Sequence, residues 1–348
     1  MYCKDENLLS IYCITYNQKD YIKRCLDGFV MQKTNFKFEV IVYDDCSTDG
    51  TRDIIEEYSN KYPETIKTIF PEHNIAKSEG FYKINQLIYN QISGKYVAFC
   101  EGDDYWTDEN KLQIQVDYLE KHPKLVGCFH KSVRKNIVNP KVKDIYFPQA
   151  VLKNVKEVYT NKDIQKNYFI ETCSVMYRFD KYKEDIISTY PQKIVNGDTY
   201  MLNYFSLHGN IGYIDRLMSV KTMNDLGVWN SQKQSLDERN IRYAEEIVNL
   251  PIVINNLYKR FDKGPVMSVR DSFYMVINSA IKLNRNDVII KIVGQYWDNY
   301  INEDKEIISN LNKKKNRYKN LFNIIIILFA LLLISFIIVA TKLVFLLN

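Results

Sequence analysis

The sequence predicts an α/β fold in which a mostly parallel sheet is flanked by helices. Apolar segments of strand length alternate with segments whose apolar residues recur at helical spacing. Two strand segments, 38–43 and 95–100, are almost continuously apolar, as in parallel strands covered on both faces. Both run directly into acidic residues. In such a sheet the ligand crevice lies beyond the carboxyl ends of the strands, so we expect these acids to lie there.

The first 130 residues alternate regularly between strand and helix. Pro63, Gly94 and Pro123 end predicted helices, because proline cannot continue a helix and glycine is favoured just after one. The predicted strands are 8–16, 38–43, 66–70, 95–100 and 125–130, and the helical patterns begin near Tyr21, Thr51, Phe81 and Asp108. This order is typical of a doubly wound sheet.

The pattern is less regular beyond residue 130 and becomes helical beyond residue 230. Strands are predicted within 169–178 and near 211–215 and 217–222, and helices at 197–208, 245–258, 268–283 and 287–300. We therefore expect one α/β domain at 1–230 and a helical appendage at 231–312.

The C-terminal region predicts a membrane anchor. Residues 321–341 carry no charge and approach the roughly 20 residues that cross a hydrocarbon layer. A basic juxtamembrane segment, 313–320, precedes them and places residues 1–320 in the cytoplasm by the positive-inside rule. A hydrophobic hairpin packed on a partner protein is the alternative. The prediction is a single-pass membrane protein with a cytoplasmic N-terminal part, to which cysteines without C-x-x-C spacing also point.

Composition and motifs exclude several classes of site. The formal net charge is +5, and much of the basic excess lies in the 313–319 run, so nucleic-acid binding is not predicted. The four histidines have no paired ligand spacing that would indicate zinc. Neither the Rossmann glycine fingerprint nor a G-x-x-x-x-G-K-[ST] loop occurs.

Three acids after the 95–100 strand are the strongest chemical signal. Glu101, Asp103 and Asp104 lie within four residues, and carboxylates this close repel one another unless a cation compensates them. Magnesium or manganese is the cofactor that fits oxygen ligands. The alternative is a solvated acidic turn that caps the next helix. Asp44 and Asp45 have the same ambiguity, since Asp-Asp-x-Ser is ordinary turn chemistry.

Three motifs together resemble a known family. They are Ile14-Thr15-Tyr16-Asn17, the Val42–Thr51 segment (VYDDCSTDGT) and the Cys100–Trp106 segment (CEGDDYW). They resemble the family 2 glycosyltransferases of GT-A fold, clearly over residues 8–119 and more loosely to about 230. The resemblance implies sugar transfer from a nucleotide diphosphate sugar to an acceptor hydroxyl, with inversion at the anomeric carbon. The Q-x-x-R-W signature of processive synthases is absent, which favours addition of one sugar.

The resemblance also implies roles for residues on the donor side. Thr15, Tyr16 and Asn17 would line the nucleotide pocket, Asp45 would accept from the nucleobase, Asp103 and Asp104 would contact ribose and metal, and Glu101 replaces a frequent aspartate. Which of the three clustered acids is the direct metal ligand stays open at this point.

Acceptor-side roles follow from the same resemblance. Asp198, in Asn196-Gly197-Asp198, would be the general base, although it also suits an N-cap. Glu171 and Thr172 would border the acceptor, and Asn224 would be a weak metal ligand. Separately from the resemblance, we expect Lys221 to supply charge to the leaving diphosphate, and Trp106 and Trp229 to stack on sugar unless they pack in the core.

The predicted function is metal-dependent transfer of a single sugar in surface polysaccharide biosynthesis. The predicted anchor favours a lipid-linked saccharide as acceptor, because tethering raises encounters with a bilayer-bound substrate. A catalytically silent GT-A scaffold that binds nucleotide or partner enzymes at the membrane is the alternative, motivated by the unusual 221–224 segment. A nucleotidyltransferase is a third possibility, but no glycine-rich basic loop near the N-terminus supports it.

Overall fold

The computed structural model describes residues 7–137, 139, 141–165, 169–192, 194, 196–224 and 235–296. The strands are β1 (Leu9–Thr15), β2 (Phe38–Asp44), β3 (Ile66–Ile69), β4 (Tyr96–Phe99), β5 (Tyr105–Trp106), β6 (Leu125–Asn136), β7 (Ile145–Phe147), β8 (Val158–Tyr159), β9 (Met176–Arg178) and β10 (Asn210–Met223). The helices are α1 (Lys19–Val30), α2 (Thr51–Lys61), α3 (Ile75–Ser78), α4 (Phe81–Gln91), α5 (Lys111–Lys121), α6 (Asn161–Ile164), α7 (Lys183–Thr189), α8 (Gly197–His208), α9 (Leu236–Arg242), α10 (Ala244–Lys259) and α11 (Val269–Lys282).

The strands form one mixed sheet in the order β3-β2-β1-β4-β9-β6-β10-β5, with β7 added at β6 and β8 at β10. Strands β3, β2, β1 and β4 are parallel to one another. Strand β9 is antiparallel to both β4 and β6, whereas β10 runs parallel to β6. The prediction of a mostly parallel sheet is therefore correct for β3, β2, β1 and β4 and wrong for the part of the sheet that begins at β9. No crossover helix directly precedes β9, which enters from a 3-10 turn and pairs in the opposite sense.

Helices cover the sheet on both sides and create two apolar clusters. Successive residues of β1 point to opposite faces, so Ile11 and Cys13 pack in one cluster and Tyr12 in the other. The same holds for β2, where Val40 and Val42 lie opposite Ile41. The almost continuous apolar runs of the sequence are thus explained by burial on both faces.

Three predicted elements differ from the structure in the irregular region. Residues 172–174, predicted within a strand, form a 3-10 turn, and the strand begins only at Met176. Strand β6 continues through charged residues to Asn136, six positions beyond its predicted end at His130. The two predicted strands at 211–215 and 217–222 are the single strand β10, whose register with β6 is irregular between Ile214 and Leu217.

Two compact units divide the chain at residue 292, Met1–Ile292 and Val293–Asn348. Of the second unit, only residues 293–296 are among those described. Within the first unit, α10 packs on α8, where the Tyr258 hydroxyl donates a hydrogen bond to Asn203 Oδ1 at 2.9 Å. A boundary near residue 230 and the appendage limits 231–312 stay predictions.

The predicted membrane anchor needs correction. Among the residues that the structure describes, no helix combines the length and the apolar character needed to cross a bilayer. The predicted span at 321–341 and the basic segment at 313–320 lie outside those residues. The predicted location, a single-pass membrane protein with a cytoplasmic N-terminal part, is therefore withdrawn.

Candidate functional site

A cavity of about 1210 Å³ lies at the carboxyl ends of β1, β2 and β4. It is lined by residues from motifs that are far apart in the sequence. The predicted site residues that line it are Thr15, Tyr16, Asp45, Glu101, Asp103, Glu171, Thr172, Asp198 and Lys221. The fold therefore brings most of the predicted residues to one edge of the sheet, as expected for a ligand crevice of an α/β protein.

The loop after β1 is tied to the loop after β2. Asn17 has a positive φ of 50°, which asparagine tolerates better than most residues. Its backbone N–H donates to Ser47 Oγ at 2.8 Å, and its Oδ1 accepts from the Thr48 N–H at 2.9 Å. Asn17 therefore fixes the rim, whereas Thr15 and the half-exposed Tyr16 face the cavity.

Asp45 is buried, and donors from the protein already contact both of its oxygens. Oδ1 accepts from the Tyr43 hydroxyl at 2.9 Å and from the Ile75 N–H at 2.8 Å. Oδ2 accepts from the Ala76 N–H at 3.0 Å. A carboxylate offers about four acceptor sites, so room remains for one donor from a ligand. The first effect of Asp45 is to hold the start of α3 against the end of β2.

Gly102 lets the acidic motif lie directly against the end of β1. A Cβ at this position would come within 2.7 Å of the Thr15 side chain and 2.6 Å of Gln18 Oε1. Its backbone N–H donates to the Ile14 carbonyl at 2.9 Å. Real Cβ atoms do not approach other atoms so closely, so any larger residue must push the two strand ends apart.

Glu101, Asp103 and Asp104 form a compact acidic cluster. One carboxylate oxygen from each lies within 4.8 Å of the others. The Asp104 side chain is fully buried, and Asp103 is only 9 % exposed. Burial, followed by the charge of Glu101, raises the pKa of Asp103, and burial also raises the pKa of Asp104 well above its usual range. Such a set of oxygens fits a hard divalent cation.

The end of β10 and the residue that follows it contact every acid of the cluster. The Lys221 ammonium is 3.1 Å from Glu101 Oε2 and 3.4 Å from Asp104 Oδ2. The backbone N–H of Thr222 donates to Asp104 Oδ1 at 2.8 Å. The Asn224 amide nitrogen donates to Asp103 Oδ2 at 2.8 Å, so Asn224 meets the cluster through its nitrogen. Metal coordination by Asn224 stays a prediction.

Asp198 lies in the first turn of α8 and lines the cavity. The N-cap of this helix is Asn196, so Asp198 is not the cap. Its Oδ1 accepts from the Thr199 N–H at 2.6 Å. Burial and then the charge of Asp198 raise the pKa of Tyr177 and Tyr190 above the usual tyrosine range. Both tyrosines therefore remain neutral hydroxyl groups beside this carboxylate at neutral pH.

Glu171 is held by an arginine that the sequence reasoning missed. Arg134 Nε and Nη2 donate to Glu171 Oε1 at 3.1 and 2.5 Å, and both residues line the cavity. The other oxygen, Oε2, is buried, and the described residues offer it no hydrogen-bond partner. The signal that could have found Arg134 is the charged continuation of strand β6, read from the sequence as the end of that strand.

Trp106 lies in the apolar core, and the described residues that line the cavity do not include it. Its indole N–H donates to the Cys173 carbonyl at 2.9 Å, and its ring packs edge-on against Phe29. The buried Lys111 ammonium lies 3.8 Å from the ring centroid, and burial lowers the pKa of Lys111 to about 8. Of the two roles considered for Trp106, stacking on sugar and packing in the core, core packing fits this position. Trp229 lies outside the described residues.

The helical appendage contributes to the cavity. Leu250 of α10 and Val266 and Met267, which precede α11, line its wall. These side chains also pack against the apolar cluster that contains α8 residues such as Met201. Composition alone did not reveal this role, because an apolar residue on a helix reads equally well as ordinary core.

About half of the chain matches a known protein family. The family model "Glycosyl transferase family 2" matches residues 10–185, which are 176 of the 348 residues. Among curated proteins, an uncharacterised protein of Mycobacterium tuberculosis is 37% identical over 223 residues, 64% of this chain and 61% of that protein. The match therefore spans less than two thirds of the relative's length.

Two further relatives have descriptive names. The putative teichuronic acid biosynthesis glycosyltransferase TuaG of Bacillus subtilis is 30% identical over 49% of this chain and 61% of its own length. The poly(ribitol-phosphate) beta-N-acetylglucosaminyltransferase TarS of Staphylococcus aureus is 32% identical over 43% of this chain and 26% of its own. A crystal structure of S. aureus TarS residues 1–349 with UDP-GlcNAc matches this chain with a TM-score of 0.51 and 22% sequence identity. The match covers 82% of this chain and 81% of that one and indicates a shared fold.

Proposed function

The chain belongs to glycosyl transferase family 2, and from this premise we propose that it transfers a single sugar from a nucleotide diphosphate sugar to an acceptor hydroxyl, with inversion and with a divalent cation. The observation that carries the proposal is the shared cavity. Asp45, Glu101, Asp103 and Asp198 come from three separate segments and line the same space. A purely structural role gives no reason to gather so many carboxylates around one cavity.

The donor side of the proposed site is the edge formed by the loops after β1, β2 and β4. Thr15 and Tyr16 would contact the nucleotide, and Asp45 would accept one further hydrogen bond from the nucleobase. Asp103 also lines the cavity and would contact the ribose. The fold shared with a TarS structure that contains UDP-GlcNAc supports a sugar nucleotide as donor.

A divalent cation bound by the acidic cluster would supply positive charge to the diphosphate as it departs. Glu101, Asp103 and Asp104 would hold it. The closeness of the three carboxylates and the raised pKa values of Asp103 and Asp104 support that assignment. Lys221 lies on the same wall and would add a second positive charge. Asn224 would position Asp103 through its amide.

Asp198 would act as the general base. As the acceptor oxygen forms its bond to the anomeric carbon, Asp198 takes the hydroxyl proton, and the bond to the diphosphate oxygen breaks on the opposite face. The acid is in the first helical turn of α8, where the helix dipole stabilises a carboxylate in its charged form. Glu171, fixed by Arg134, and Thr172 would orient the acceptor.

The proposed acceptor is a saccharide or polyol of a bacterial surface glycan. Relatives named for teichuronic acid and poly(ribitol-phosphate) support this class. A lipid-linked acceptor was expected only because of the predicted membrane anchor, so it is no longer part of the proposal.

The test is a screen of nucleotide sugars, UDP-sugars first, against oligosaccharide and polyol acceptors, with products read by mass spectrometry and anomeric configuration by NMR. Asp198→Asn should lower kcat by about 10²–10⁴-fold and leave nucleotide affinity within about twofold, because only proton transfer is removed. Asp271→Asn, an exposed first-turn acid of α11, is the matched control and should leave kcat unchanged.

Two results would contradict this function. Unchanged kcat in Asp198→Asn would remove the general base. Nucleotide binding without product across the whole panel would favour the silent scaffold instead.

A further inference from the structure

Lys221 places a positive charge inside the acidic cluster. Its ammonium lies 3.1 Å from a Glu101 oxygen and 3.4 Å from an Asp104 oxygen, and its side chain is 15 % exposed. Three carboxylates in this space repel one another, and an ammonium that bridges two of them reduces that repulsion. The chain therefore supplies its own counter-ion to the cluster.

The position of this ammonium is set by backbone pairing. Val220, the preceding residue, pairs antiparallel with Tyr105, directly after the acidic motif. Lys221 itself pairs in parallel register with Arg134 on β6. The following residue, Thr222, donates its backbone N–H to Asp104. Contacts on both sides of Lys221 thus fix its Cα next to the cluster, and the bridging geometry is a property of the sheet.

We propose that Lys221 and a divalent cation compete for the same carboxylates, so that Lys221 gives up its place when the metal binds. Magnesium and manganese prefer carboxylate oxygens, and the ammonium already contacts one oxygen of Glu101 and one of Asp104, two of the three residues that would hold the cation. Two cations near the same oxygens also repel each other strongly in a buried site. The inference rests on the metal role proposed above.

The exchange gives Lys221 two successive partners. Without metal it compensates the cluster and allows the buried acids to fold together. With metal bound it stays on the cavity wall, where its released ammonium can meet the departing diphosphate. A single residue would thereby couple occupation of the metal site to the charge that faces the leaving group.

The first experiment measures Mn²⁺ binding to the full chain by electron paramagnetic resonance, without nucleotide. Lys221→Met removes the charge and keeps most of the side-chain volume. Its affinity for Mn²⁺ should be at least about tenfold higher than that of the wild type. The matched control is Lys135→Met, on the neighbouring strand, where the ammonium lies 3.8 Å from Asp144. Its Mn²⁺ affinity should stay within about twofold of the wild type.

The second readout is thermal stability. Metal-free Lys221→Met should melt below the wild type, and saturating Mn²⁺ should raise its Tm more than it raises that of the wild type or of Lys135→Met. Equal or weaker Mn²⁺ binding by Lys221→Met would overturn the inference, and so would the absence of Mn²⁺ binding in both proteins.

A third measurement applies if Lys221→Met does not fold. Lysines of the wild type are reductively methylated with ¹³C, and the Lys221 signal is assigned with Lys221→Arg. Addition of Mg²⁺ should shift the Lys221 signal and not that of Lys135, and an unmoved Lys221 signal would overturn the exchange. None of these readouts needs sugar transfer. Tighter Mn²⁺ binding by Lys221→Met without any transferase product would support the exchange and contradict the proposed function. Transferase product together with unchanged Mn²⁺ binding by Lys221→Met would contradict the exchange and support the function.

Discussion

Two acidic loops follow parallel strands of the same sheet, and their carboxylates differ in how fully other protein groups bind them. The β2 acidic loop contains Asp44 and Asp45, and the β4 acidic loop contains Glu101, Asp103 and Asp104. Protein donors meet both oxygens of Asp45, and Asp44 pairs with Arg52 at 3.2 Å. In the β4 loop, three carboxylates crowd within 4.8 Å, and burial raises the pKa of two of them.

The difference shows that acidic residues at a strand end have two distinct physical roles. In the β2 loop, carboxylates satisfy backbone N–H groups and hold the loop together. In the β4 loop, the protein donors compensate the carboxylates only in part, which leaves a demand for positive charge.

Among substitutions in the two acidic loops, the largest effect is expected from Asp104→Asn in the β4 loop. Loss of one cluster carboxylate should lower kcat/KM by on the order of 10²–10³-fold, because charge stabilisation at the diphosphate is lost. The free energy of unfolding in metal-free buffer should stay the same or rise, since a repelled buried charge disappears. Urea titration and steady-state kinetics measure the two. A stability loss of about 1–2 kcal/mol or more would place Asp104 in the same class as Asp45.

Gly102→Ala should act on the junction between the β4 loop and β1. The added methyl group would meet Thr15 and Gln18 below 3.0 Å, so we expect a loss of about 2–3 kcal/mol in the free energy of unfolding. Gly264→Ala is the control, because a Cβ there has no atom of the described chain within 4 Å. Similar stabilities for the two variants would mean that the strand ends separate easily.

Asp45→Asn should reduce stability more than Asp104→Asn does. The new amide nitrogen would face a backbone N–H at Ile75 or Ala76, which we expect to cost about 1–2 kcal/mol. Asp53→Asn, an exposed acid in the first turn of α2, is the control and should change stability by less than about 0.5 kcal/mol. If Asp45→Asn lost nucleotide affinity at full stability, the contrast between the loops would fail.

The smallest effect concerns pH. The raised pKa of Asp103 means that the folded state binds its proton more tightly than the unfolded state does. The resulting stability is fully present below the ordinary pKa of 3.8 and is lost as pH rises through the raised pKa. Asp103→Asn should therefore match the wild type near pH 4 and become more stable by about 1 kcal/mol towards pH 8 in metal-free buffer. A constant difference between pH 4 and pH 8, measured by urea denaturation, would contradict this.

The sequence predicted the first half of the fold closely. Strands β1 to β4 and helices α1, α2, α4 and α5 lie within a few residues of their predicted positions. Their signals are local, since apolar periodicity and helix-stopping residues act within one element. The second half was harder to predict because β6 keeps its strand conformation through charged residues, whose pattern resembles a loop.

The candidate site was partly predictable because some of its residues also belong to local motifs. Motifs at strand ends predicted that Asp45 and Asp103 lie in one crevice, because parallel strands end at a common edge. Asp198 was predicted from the family resemblance and lines the same cavity. Arg134 and the appendage residue Leu250 were missed, since nothing local distinguishes them from surface charge and apolar core.

What the sequence determined by itself is the order of β and α elements and the residue types available at the strand ends. Only the tertiary structure decided which carboxylates are satisfied, because their partners come from distant segments: Ile75 for Asp45, Lys221 for Glu101 and Asp104. A charge is stabilised or strained by groups within a few ångströms, and chain folding sets those distances.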